Sequence, residues 1–83
     1  MKLKLEIITQ EEQLYSDIVD QVIIPTAQGE ITVLPGHISL FTKLDVGEVS
    51  FTQKDKVEGF VVSGGFLDIA SGQVVTIMAD SAI

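Results

Sequence analysis

Residues 2–7 read KLKLEI, in which Leu3, Leu5 and Ile7 alternate with Lys2, Lys4 and Glu6. A period of two places the apolar set on one face of an extended chain and the charged set on the other, the pattern of a strand with one face in a core. Similar short runs occupy residues 18–24, 30–34, 39–44, 48–52, 57–63, 66–70 and 73–79. Turn-forming residues close them: Gln28-Gly29, Pro35-Gly36, Asp45 to Gly47, Lys54-Asp55, Gly64-Gly65 and Ser71-Gly72. No window carries the helical period. The expectation is an all-β chain, folded as a flattened antiparallel sandwich or barrel.

Two runs, Val22-Ile23-Ile24 and Phe60-Val61-Val62, are apolar on successive residues. A sheet with one wet face would not tolerate that, so core or partner is expected on both faces there. Pro25 closes the first run, and its missing N–H predicts that this strand ends at a sheet edge or a bulge.

With 83 residues, the chain makes one domain that buries only about 60–65% of its unfolded surface. Yet 46% of its residues are apolar and its mean hydropathy is +0.41, more than so small a domain readily hides. Part of that surface is expected to face a partner. The net charge of −7 and five scattered lysines with no arginine leave no basic stripe for phosphates or anionic lipid. No apolar run approaches the roughly 20 residues of a membrane-spanning helix. The absence of cysteine removes disulfides and thiolate metal sites, and fits a reducing compartment. The amino end is strand-like from its third residue, unlike a signal peptide, which predicts an unprocessed protein on the cytosolic side.

Catalytic chemistry finds no footing. His37 is the single imidazole, and no serine sits in a nucleophile turn beside it. One histidine with carboxylates such as Glu30 or Asp45, and no cysteine, makes a weak transition-metal site. His37 reads instead as a turn residue after Pro35-Gly36, packing at the surface or meeting a partner. Gly64-Gly65 lacks the Gly-Lys-Ser/Thr of a phosphate cradle and lies between two strand-like runs, so it reads as a turn or bulge. Glu11 and Glu12 point apart if extended and read as a solvated loop. No cofactor, metal or small-molecule substrate is expected.

A short echo of another class lies at Asp55-Lys56-Val57, which resembles the modified turn of a lipoyl carrier domain. That resemblance would imply a covalently modified Lys56, or Lys54 beside it, at a hairpin tip.

A longer resemblance covers nearly the whole chain. GEITVLPGHISLFTKLDVGEVSF (residues 29–51) resembles the Gly-Glu to Leu-Pro-Gly-His segment of the epsilon subunit of F-type ATP synthase. VSGGFLDIASGQVVTIMADSAI (residues 62–83) is similar to that family's Val-Ser-Gly-Gly-Phe hairpin ending in Ala-Asp-x-Ala. Residues 5–9 and 20–25 stand where the family has its first strands. Thr32, where the family often has glycine, and Ile38-Ser39, where it often has Ala-Pro, depart from the pattern and bear on the local turn.

The resemblance implies a flattened sandwich of about ten short strands without catalysis of its own, belonging to the rotating central stalk. It implies gamma and the c ring as partners, docked on the cytoplasmic face of a bacterial inner membrane as a peripheral part of the complex. The stroma face of a chloroplast membrane is the less favoured setting. Two residue roles transfer with the motif: Glu30 corresponds to the acid that faces the c-ring loops, and His37 to the histidine at the rotor contact. The family continues past Ala-Asp-x-Ala into two regulatory helices, so residues 1–83 are expected to form the single sandwich domain without that helical hairpin.

Overall fold

The computed structural model describes residues 2–83. Nine strands are present among them: β1 Leu3–Ile8, β2 Gln13–Val19, β3 Gln21–Thr26, β4 Gly29–Val33, β5 Leu40–Leu44, β6 Gly47–Gln53, β7 Lys56–Val62, β8 Gly65–Ala70 and β9 Val74–Ala79. They hydrogen-bond continuously in the order β2-β1-β9-β8-β5-β3-β6-β7, with β4 added to β3, and this curled array folds into two layers around one core, the sheet β2-β1-β9-β8-β5 and the sheet β4-β3-β6-β7. The all-β expectation holds, with nine strands where the resemblance implied about ten.

Alternation does what the sequence promised. Leu3, Leu5 and Ile7 of β1 are fully buried, as are Val22 and Ile24 of β3, Val49 of β6, Leu67 of β8, and Val75 and Ile77 of β9. Phe51 is the largest side chain in this core. Tyr15 of β2 lies across it, 4.5 Å from the Phe51 ring and 6.1 Å from Phe60, so β2 and the β6–β7 hairpin close over one another.

Three features differ from the sequence-based reading. β1 and β9 pair in parallel, Leu5 against Val75 and Ile7 against Ile77, so the sheet is not wholly antiparallel. The run 18–24 is two strands, because β2 begins already at Gln13 and the chain changes sheet at Asp20, between Val19 and Gln21. Residues 45–47, read as a turn, do not reverse the chain. β5 and β6 both run antiparallel to β3, Leu44 opposite Thr26 and Phe51 opposite Val22, so together they form one bent strand passing from one sheet to the other.

Pro25 lies inside β3, paired on one side with Glu30 of β4. Its carbonyl accepts the Asp45 amide at 3.0 Å on the other side, in the gap between the residues that pair with β6 and the one that pairs with β5. The missing N–H therefore costs no ladder bond, as expected of a proline at an irregularity. The two apolar runs differ in cover: Ile23 is half-buried, whereas the outward Val61 is 54% exposed.

Two turns demand their residues. Lys54 and Asp55 both have positive φ, 50° and 69°, the geometry of a two-residue hairpin that matches strand twist. Gly65 (φ +128°) sits where β8 meets β9 so closely that a Cβ would lie 2.0 Å from the Met78 carbonyl oxygen and 2.9 Å from Ala79 Cα. Both obstacles are backbone and have nowhere to go.

Replacing Gly65 by alanine is accordingly expected to destabilise the domain by about 3 kcal/mol or more, measured by denaturant unfolding, with unchanged stability contradicting the close approach. A contrasting outcome is expected at Tyr15, whose hydroxyl is buried without a hydrogen-bond partner. Tyr15→Phe removes that unpaired group and should leave stability unchanged or raise it, by up to about 1 kcal/mol.

Candidate docking surface

A row of paired residues crosses the molecule: Ile8 to Met78, Ala79 to Gly65, Gly65 to Leu44, Leu44 to Thr26, and Thr26 to Gly29. The segments next to this row therefore share one end of the domain: residues 9–12, 27–28, 45–46, 63–64 and 80–83. Glu11, Glu12, Asp45 and Asp80 belong to them, and Glu30 and Glu48 lie one residue inside the flanking strands. All six are exposed, and Lys43 is the cation nearest to them along the described strands. At the other end stand Lys2, Lys4, Lys54 and Lys56 with Asp20 and Asp55. The charge is thus polarised along the strands, acidic at one end and mixed at the other.

Glu30 is held at the acidic end by the β3–β4 hairpin. Thr26, the buried polar residue of that hairpin, donates its hydroxyl to the Gly29 carbonyl at 2.6 Å and accepts the Gln28 amide at 3.2 Å. The next residue, Ile31, packs against the core and Val33 is fully buried, so alternation turns Glu30 outward. Glu30 is exposed.

His37 lies elsewhere. The segment 34–39 leaves β4 at the opposite end from Glu30 and packs on the β8–β9 turn, where the Gly36 amide donates to the Gly72 carbonyl at 2.8 Å. A Cβ on Gly72 would stand 2.9 Å from the His37 carbonyl oxygen, so backbone meets backbone there. The half-buried His37 ring pairs through Nδ1 with the Ile38 carbonyl at 2.8 Å. Glu30 and His37, neighbours in one sequence motif, are separated by the length of β4. The pairing length of that strand decides this, and the motif does not reveal it.

An apolar surface that sequence reading did not localise covers the outer face of the β1-β9-β8-β5 sheet. Phe41 and Phe66, 63% and 46% exposed, stack with ring centroids 5.5 Å apart. Met78 pairs with Phe66 and Ile8 with Met78, which continues the strip across four strands. The signal lay in Phe41, Phe66 and Met78, each out of phase with the buried alternation of its own strand.

Among the described residues, no three His, Cys, Asp or Glu side chains gather as a metal site. The hairpin tip consists of Lys54 and Asp55, and Lys56 is the first residue of β7, so of the two lysines Lys54 and not Lys56 stands at the apex.

The family model described as the beta-sandwich domain of the ATP synthase delta/epsilon chain matches residues 2–83. The chain belongs to this family. It is 41% identical over 81 residues to the ATP synthase epsilon chain of Carboxydothermus hydrogenoformans, covering 98% of this chain and 60% of that one. It is 43% identical over 81 residues to the epsilon chain of Dehalococcoides mccartyi, covering 98% and 57%. The chain therefore spans about three-fifths of the length of these relatives. Among solved structures it is similar to a chain in the Euglena gracilis mitochondrial ATP synthase, OSCP/F1/c-ring assembly, with a TM-score of 0.92 and 28% identity over 99% of this chain and 52% of that one. A chain of the Tetrahymena thermophila central stalk and c ring shares the fold, with a TM-score of 0.82 at 12% identity.

At the mixed end, Lys2 pairs with Asp20, which also accepts the Lys54 amide at 3.3 Å. The Lys2 ammonium, foremost, and that amide hold the Asp20 carboxyl below its ordinary range. A carboxyl whose folded pKa is depressed stabilises above its unfolded value and loses the contribution as pH falls through the folded one. Lys2→Met should thus lower Tm slightly near neutral pH, with the gap from the unaltered protein closing as acid protonates the Asp20 carboxyl. A gap that stays constant on acidification would remove the pair from the acid limb.

Proposed function

We propose that this domain is a non-catalytic epsilon-type subunit of the rotor's central stalk, docking gamma to the c ring and helping to couple ion translocation to ATP synthesis. The docking role resides in the sandwich of residues 1–83 itself. Its setting is the cytoplasmic face of a bacterial inner membrane, as a peripheral member of the complex. Family membership supports the assignment, and one structural observation carries the docking: Glu30 is exposed in the midst of an acidic end. Such an end would suit c-ring loops that carry basic groups. The strip of Phe41, Phe66 and Met78 is apolar surface of the kind that protein partners cover, and gamma is the partner assigned to it.

His37 is assigned to the rotor contact as well, at a point on the far end of β4 from Glu30. The two residues therefore serve different parts of the rotor surface, Glu30 by charge and His37 by the shape of a packed turn. A lipoyl-type carrier role rests on a three-residue echo around Lys54 and Lys56, against a family match over residues 2–83, and is set aside.

Glu30→Lys tests the assignment. An exposed acid can be replaced with a stability change of about 0.5 kcal/mol or less, whereas reversing its charge against a basic loop costs several kcal/mol of docking. The variant should melt like the unaltered protein yet weaken proton-pumping coupling in the reconstituted enzyme, with His37→Ala giving a milder loss. Normal melting together with normal coupling in Glu30→Lys would remove Glu30 from the interface.

A further inference from the structure

Beyond Ala79 the chain leaves the sheet of β1, β9 and β8 and crosses to β7 in the other sheet. The Asp80 amide donates to the Gly64 carbonyl at 3.0 Å, and the Ser63 amide to the Ser81 carbonyl at 3.1 Å. Val61 and Ile83 exchange both of their backbone bonds, each 2.9 Å, and Val62 bridges Ala82 between them. Ser81 Oγ adds a bond to Ser63 Oγ at 2.8 Å.

Side chains do little of this holding. Asp80, Ser81 and Ile83 are exposed, and Ala82 is the one residue of the four that packs against the core. Backbone bonds at an exposed sheet edge are individually modest and break through local opening, without unfolding of the core. Residues 80–82 also form one wall of a cleft of about 220 Å³, whose other wall is residues 9–12 and Leu14. The strap is thus itself a wall of the cleft.

We propose that residues 80–83 form a latch between the two sheets, opening independently of the core. Its release uncovers the cleft and frees the backbone groups of Val61 and Ser63. By strand alternation Gly59 and Val57 present theirs on the same side of β7, so the open state offers a continuous edge of four residues.

Hydrogen exchange of the folded domain, followed amide by amide, tests the latch. The Val61 and Ser63 amides are expected to exchange about a hundredfold faster than those of Leu67 and Ile69 in β8, and with little dependence on mild denaturant. Ile83→Pro removes the donor to the Val61 carbonyl and keeps the preceding residue extended. It should speed exchange at Val61 by about a further tenfold and leave β8 unchanged. Equal protection of Val61, Ser63 and the β8 amides in the unaltered protein would overturn the proposal. So would an Ile83→Pro variant that loses protection everywhere or fails to fold, since residues 80–83 would then belong to the cooperative core.

Discussion

Pro25 has no N–H to give, and β3 changes partner at that residue. On the same side of β3, residues 21–23 pair with β6 and Thr26 pairs with β5, while the Pro25 carbonyl takes the Asp45 amide in the interval. This arrangement lets a single bent strand leave one sheet and enter the other. The inner face of β3 then meets the inner face of β1 and β9, and one core serves both layers. Without the switch, 83 residues in nine short strands would spread into a sheet with one face uncovered. The placement of Glu30 follows from it too, because the β3–β4 hairpin projects from the corner that the bend creates.

Much of this fold was legible. The alternation of Leu3, Leu5 and Ile7 gave β1 its inner face, and the Lys54-Asp55 turn was marked by its residues and by the strands on either side. The two corners were not legible, for a physical reason. At the first corner the buried alternation slips by one residue, Val19 and Val22 both being buried three apart, and the run 18–24 is apolar enough on both sides of Asp20-Gln21 to read as one strand. The bend at Asp45 and Val46 used polar and glycine neighbours that a reversing turn would also use. Parallel pairing of β1 with β9 joins strands far apart in sequence, where no local signal specifies direction.

The candidate site divides similarly. Outward placement of Glu30 follows from the inward placement of Ile31 and Val33, which is a local matter. The distance between Glu30 and His37 depends on β4 staying paired with β3 through Val33, which is a tertiary matter. The apolar strip around Phe41 and Phe66 was foreshadowed only as a surplus of hydrophobic residues. Its position emerged once register put Phe66 beside Met78 and Met78 beside Ile8.

The polarity of charge along the strands has a practical side. All five lysines are exposed, and Lys2, Lys4, Lys54 and Lys56 stand at the end remote from Glu30. Amine-reactive coupling to a bead or sensor chip would consequently fasten most molecules by the same end and hold them in one orientation. The carboxylate-rich end would point into solution, ready to meet an analyte, so the chemistry of immobilisation would itself select which surface is assayed.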